Sequence, residues 1–148
     1  MYTGDVNPRP EAADTTNVRS AGFHLHCGYQ SPEIDRSLRL VLYFDAFLGL
    51  PSIIIDKDDK RRTLYGKAGC FRLCKYGVEY RTLSSYFMKD EEHLKWVFIQ
   101  INRAIRAYNE GWTLPDGELV QDAINNSKED VARDLCRRYN LCGNFLGN

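Results

Sequence analysis

The chain has no excess of either charge: 20 Lys and Arg residues face 20 Asp and Glu residues, a formal net charge of zero. That balance argues against broad electrostatic attraction to nucleic acid or an anionic membrane, while leaving a local basic site open. Long apolar runs are missing too; the longest falls far short of the roughly 18 residues that suggest a membrane span. Tyr2 to Val18 is polar and contains Pro8 and Pro10, so no secretory signal is read there. The five cysteines are an odd count without framework-like spacing: three residues separate Cys70 from Cys74, and five separate Cys136 from Cys142. A zinc site favours tighter pairs or a pair with a helical histidine, so these read as scattered buried thiols in a reducing, cytoplasmic compartment. Internal repeats and low-complexity segments are also lacking. What is present is apolar material for one compact core, 43% of 148 residues, with 12% aromatic.

Positive charge is concentrated in one stretch, Asp56 to Arg81, which holds eight basic against four acidic residues. Its start, Asp56 to Lys60, reads as a solvated loop, with Asp56, Asp58 and Asp59 exposed. Arg61, Arg62, Lys67 and Arg72 follow, interleaved with Gly66, Gly69 and Gly77. That mixture suits a place where backbone and cations approach an anion together, and such a density of cations is hard to bury.

Periodicity gives a mixed α+β order. Arg19 to Tyr29 alternates as a strand, with Ala21, Phe23, Leu25 and Cys27 on one face and Gly22, His24, His26 and Gly28 on the other. Ser31-Pro32 reads as a helix start, and Leu38, Val41, Leu42, Asp45 and Leu48 keep helical spacing until Pro51 interrupts. Ile53 to Ile55 fits either a strand or a helical turn. Tyr76 to Leu83 alternates again, with Val78, Tyr80 and Thr82 on one face and Glu79, Arg81 and Leu83 on the other. Asp90 caps a helix striped by Leu94, Val97, Phe98, Ile101, Ile105 and Tyr108 and ended by Gly111. Trp96 and Ile99 lie off that stripe. Two shorter helices are expected at Asp116 to Asn126 and Lys128 to Tyr139.

Two constellations carry chemistry. His24 and His26 share a strand face, about 7 Å apart, so one can bind a divalent metal and the other phosphate oxygens; a pair of surface imidazoles is the plainer alternative. Glu79 and Arg81 share a face of the second strand, a carboxylate for Mg²⁺ beside a guanidinium for a phosphoryl group. A cross-strand salt-bridge ladder explains that pair equally simply. The preceding cations favour a polyanionic nucleotide with its metal, and hence phosphoryl transfer.

Together these motifs resemble a family. Ala21-Gly22-Phe23-His24-Leu25-His26-Cys27-Gly28-Tyr29, Leu48-Gly49-Leu50-Pro51-Ser52, Arg61-Arg62, Tyr65-Gly66-Lys67-Ala68-Gly69, Phe71-Arg72 and Tyr76-Gly77-Val78-Glu79-Tyr80-Arg81-Thr82-Leu83-Ser84 are similar, in that order, to phage-encoded carboxylate–amine ligases of the glutamine-synthetase-like superfamily. The resemblance covers about Tyr2 to Gly111. It implies a partial glutamine-synthetase-like antiparallel sheet with packed helices. The chain then divides into an irregular arm over 1–18, a catalytic half over 19–111 and a helical extension over 112–148. It also implies ATP-dependent amide formation through an acyl phosphate, with ATP and Mg²⁺ or Mn²⁺ as cofactors and a peptide-like carboxylate and amine as substrates. In that scheme His24 and Glu79 match metal ligands, and Arg81 steadies the transferred phosphoryl group with Glu79. His26, Arg61, Arg62, Lys67 and Arg72 contact nucleotide or phosphate. Phe23 stands where a second glycine is usual.

Members of the family carry a further N-terminal half bearing acidic metal ligands, whereas this sequence starts close to the His-x-His strand. The expectation is a truncated or split ligase, working as a homo-oligomer or with a partner chain, in the host cytoplasm if phage-encoded. Trp96 and Ile99 on the outer side of the main helix fit a covering partner. The alternatives are a catalytically incomplete nucleotide- or metal-binding relative and an interaction protein of phage origin. Tyr65, Phe71, Tyr76 and Tyr80 alternate with basic residues as single-strand-binding faces do, but overall neutrality makes nucleic acid a poor second.

Overall fold

The computed structural model describes residues 21–143, with the side chains of Thr63 and Leu64 excepted. The expected arm over 1–18, the first two residues of the expected first strand and the segment from Asn144 lie outside these residues. Three short strands, β1 (Leu25–Gly28), β2 (Phe71–Cys74) and β3 (Gly77–Tyr80), form an antiparallel sheet in the order β1-β3-β2. Helices pack on one face of it, which makes the fold α+β as expected. Register puts Leu25, Tyr80 and Phe71 in one row and Cys27, Val78 and Leu73 in another, both on the inner face, although Leu73 on the edge strand is left exposed. The alternate rows, His26–Glu79–Arg72 and Gly28–Gly77–Cys74, face outward. Strand β2 went unread in the sequence, hidden among the cations. It turns into β3 through Lys75-Tyr76 alone, and Gly77 is required there: a Cβ would lie 2.0 Å from the Cys27 carbonyl oxygen, at φ +152°.

The inner face is covered by one long helical segment: α1 (Ile34–Phe44), a π-helical stretch over Asp45–Gly49, and α2 (Leu50–Ile55). It starts later than expected. Ser31 has a φ of +50° and cannot open a helix, and Glu33 is the extended N-cap residue. Leu38 is exposed, and the buried seam runs instead through Ser37, Leu40, Val41 and Phe44. Pro51 does not interrupt the segment, because it falls in the first turn of α2. It has no N–H to offer the Phe47 carbonyl, and the fully buried Gln100 amide donates there at 2.7 Å, and to the Leu141 carbonyl at 2.6 Å. Leu50 N–H reaches back five residues to Asp45, the widened turn that defines the π stretch. By length and composition Ile34–Ile55 could cross a membrane, with mean hydropathy 1.8 over its most apolar window. Counting uninterrupted runs concealed this, since Arg36, Arg39 and Asp45 break the apolar letters. In this fold 72% of that window is buried, so the core accounts for its hydropathy.

Helix α3 (Asp59–Leu64) replaces the end of the expected loop, capped by the Asp58 carboxylate, which accepts from Arg61 N–H. Asp58 and Asp59 are exposed as expected. Asp56 is not: it is buried, accepting from Ser84 Oγ at 2.6 Å and from Asp58 N–H. Helix α4 (Glu91–Glu110) begins at Asp90 and ends at Gly111 in the left-handed region, as read from sequence. Its buried face is rotated from the expected stripe, however. His93, Trp96, Val97, Gln100, Ala104 and Ala107 point inward, and Phe98 and Ile99 are 63% and 58% exposed. Trp96 stacks on Phe87 in the core instead of facing a partner. Small and polar residues make this seam because α1 and the π stretch pack directly on it. Helices α5 (Gly117–Asn125) and α6 (Glu129–Arg138) stand where expected and pack with α2 into the same core.

Replacing Gln100 by leucine removes a donor from two buried carbonyls. The expected loss is about 1–3 kcal/mol in urea denaturation; a change below about 0.5 kcal/mol, typical of surface positions, would contradict this role.

Candidate active site

The outward face of the sheet gathers the groups that two separate motifs contribute. Glu79, on the central strand, is its centre, and its side chain is only 2% exposed. Its Oε1 lies 2.9 Å from His24 Nδ1 and 3.6 Å from Arg81 Nε. Its Oε2 lies 2.5 Å from Arg72 on β2, a charge-assisted contact. His26, cross-strand from Glu79, has Nδ1 2.5 Å from the Tyr76 hydroxyl. His24, His26, Glu79 and Arg81 therefore share one surface, as the alternation of both strands predicts, and Arg72 joins them from β2. Gly22 makes space for this: a Cβ there would lie 3.0 Å from His24 Nε2. Its backbone bridges to Ser84, and Phe23 N–H donates to Leu83, continuing the pairing beyond β1 and β3.

Arg61 and Arg62, read from sequence as phosphate-binding groups, lie inside the fold instead. Arg61 donates to the carbonyls of Thr82 and Leu83 at 3.0 and 2.8 Å. Arg62 donates to the carbonyls of Asp56 and Asp58 and to Ser127 Oγ. The buried Asp56 carboxylate offsets part of their charge. These guanidiniums can be buried because backbone oxygens take their N–H groups, a possibility that counting cations overlooks. Gly66 is shaped by the same contact; at φ +83°, a Cβ would lie 2.1 Å from Arg61 Nη1. Lys67 is half-buried, and its carbonyl accepts from Thr82 Oγ1 at 3.0 Å. Tyr65 closes the His24 side, 5.3 Å from the Arg81 guanidinium and 6.4 Å from the His24 ring.

Electrostatics follow from this packing. Burial pushes the His24 imidazole below its ordinary value of 6.5, and the Arg81 charge adds to the effect while Glu79 opposes it. Near pH 7 His24 is neutral, able to donate through Nδ1 and to ligate or accept through Nε2. Burial alone would raise the Glu79 carboxyl. Its contact with Arg72, then the charges of Arg81 and His24, more than reverse that and hold it below the usual 4.5. Glu79 thus stays ionised in a nearly closed position.

The donor set fits one mode of Mg²⁺ binding, in which one carboxylate joins water and substrate phosphate oxygens. Glu79 supplies that carboxylate, and His24, whose Nδ1 donates to it, could ligate through Nε2. Cys74, treated in the sequence as a background thiol, is half-buried on the same face as Arg72. It and Tyr76 were missed because β2 was not recognised. The period-two rule that paired His24 with His26 pairs Arg72 with Cys74 as soon as Phe71–Cys74 is read as a strand.

The α+β scaffold carries a carboxylate, two imidazoles and two guanidiniums on one sheet face, groups that could hold a metal ion and a phosphate. A family model described as phage phiEco32-like COOH.NH2 ligase, type 2, matches residues 14–138, through the end of α6. The chain belongs to this carboxylate–amine ligase family. No curated protein and no solved structure matches it.

Both pKa shifts act in the same direction. The unfolded chain binds more protons than the folded one at His24 below about pH 6.5 and at Glu79 below about pH 4.5, so stability falls on acidification. The denaturation midpoint of His24→Gln should lack the part of the decline that starts near pH 6.5. Glu79→Gln should lack the part below about pH 4.5. Profiles parallel to wild type in both variants would contradict the assignment.

Proposed function

We propose that the chain is an ATP-dependent ligase that joins a peptide-like carboxylate to an amine through an acyl phosphate. The observation that carries this reading is the meeting of His24, Arg72 and Arg81 on the buried Glu79 carboxylate. A nucleotide and its Mg²⁺ or Mn²⁺ would supply the phosphoryl group and the charge that activates it. A substrate carboxylate oxygen attacks the γ-phosphorus and ADP leaves. The amine nitrogen then attacks the acyl carbon, phosphate leaves, and the amine gives up a proton.

Each residue has a role in that scheme. Glu79 would hold the ion through its carboxylate, and His24 would join it through its unprotonated ring nitrogen. Arg81, held 3.6 Å from Glu79, faces the transferred phosphoryl group. Arg72, whose side chain is 62% exposed, leaves Glu79 for a phosphate oxygen when nucleotide arrives. His26, oriented by Tyr76, contacts the nucleotide, and Lys67 adds positive charge from the loop beside Thr82. Arg61 becomes a positioning residue, fixing the backbone just after Arg81, and Arg62 ties the segment before α3 to Ser127.

The reading includes self-association in the cytoplasm, or a partner chain that adds carboxylates to the one Glu79 offers. Among the described residues β1 and β2 are the two edges of the sheet, and Phe98 and Ile99 are exposed on α4. Light scattering should give at least twice the chain mass of 17.1 kDa; a monomer at micromolar concentration would count against it.

The test of activity is phosphate release from Mg·ATP that requires both a carboxylate and an amine. Glu79→Gln should lower it about 10²-fold or more, the scale for losing a group that stabilises transition-state charge, and His24→Gln should weaken metal-dependent nucleotide binding. Full activity in Glu79→Gln would overturn the reading.

A further inference from the structure

We infer that the same sheet face holds a second, chemically different cation site, in which His26, Cys74 and Glu79 take a zinc-like divalent ion. A ring nitrogen, the thiol sulfur and a carboxylate oxygen of these residues lie within 4.8 Å of one another. They come from three adjacent strands, so the register of the sheet sets their spacing. Bonds of about 2.0–2.3 Å, as zinc makes to nitrogen, oxygen and sulfur, require only that side chains rotate inward.

Further features favour this reading. The Glu79 side chain is nearly closed off, and among the described residues the one group on its Oε2 is Arg72. Its approach by Arg72 is from a largely exposed side chain that can swing into solvent. The row containing Cys74 is completed by Gly28 and Gly77, and the side chains that meet its thiol are those of Arg72 and Tyr76, both exposed. The Tyr76 hydroxyl holds the His26 ring as outer partners hold metal-bound imidazoles.

The donor types choose the ion. Mg²⁺ prefers oxygen, whereas imidazole with thiolate selects zinc and similar first-row ions. Three protein ligands leave a fourth position for water. On binding, Cys74 loses its thiol proton to solvent and the sulfur bonds to the metal. Zinc on Glu79 draws on the carboxylate charge that the nucleotide's metal would use, so zinc weakens binding of the metal–nucleotide complex. In that one respect the inference rests on the ligase reading.

The experiment is titration of the reduced, full-length chain with Co²⁺, followed by displacement with Zn²⁺. The expected result is a sulfur-to-cobalt charge-transfer band, release of a proton per ion, and loss of the band in Cys74→Ser. His26→Ala should weaken Zn²⁺ binding about tenfold or more, while His24→Gln retains the band. Circular dichroism checks that each variant is folded. A missing band in wild type, or a band that persists in Cys74→Ser, overturns the inference. Calorimetry with Mg·ATP separates the two readings: nucleotide binding without the cobalt band leaves the ligase and removes the zinc site, and the reverse removes the ligase alone.

Discussion

One carboxylate organises the outer half of this molecule. Glu79 sits on the middle strand of three, so groups on both neighbours can reach it, and its almost complete burial makes leaving it unpaired costly. His24 and Arg72 meet its two oxygens from opposite sides, and Arg81 approaches from its own strand. The arrangement depends wholly on register. A shift of β3 by one residue would turn Glu79 toward the helices and bring Tyr80 outward.

The core works to prevent that shift. Tyr80 packs on Phe44, and its hydroxyl donates to Asp45 at 2.7 Å. Asp45 also accepts from Gly69 N–H at 2.6 Å, tying the π stretch to the loop that leads into β2. Beyond β3, Arg61 fixes the carbonyls of Thr82 and Leu83, immediately after Arg81. A buried tyrosine below the sheet and a buried arginine beside it thus hold the strand on both sides of Glu79.

Much of the site was legible because period-two alternation is a purely local signal. His24 and His26 on one strand, and Glu79 and Arg81 on another, were placed on common faces before any pairing was known. Which face met which required the pairing, and Arg72 and Cys74 stayed hidden because β2 is four residues long and lies among cations. Arg61, Arg62 and Asp56 were misplaced for a different reason. Burial of charge depends on backbone carbonyls and a distant Ser84, which no local pattern reveals. In α4 the hydropathy stripe favoured large side chains, whereas the tightest seam is lined by Ala104, Ala107 and Gln100. Pro51 looked like a helix break because the donor that replaces its missing N–H comes from Gln100, 49 positions away.

The most direct measurement is anomalous scattering from a crystal soaked with Mn²⁺ and a non-hydrolysable ATP analogue. The account predicts a manganese peak ligated by Glu79, with the nucleotide phosphates over the His24–Arg81 side of the sheet and Arg72 turned away from the carboxylate. Manganese or nucleotide bound on another surface, with the Arg72–Glu79 pair intact, would contradict it.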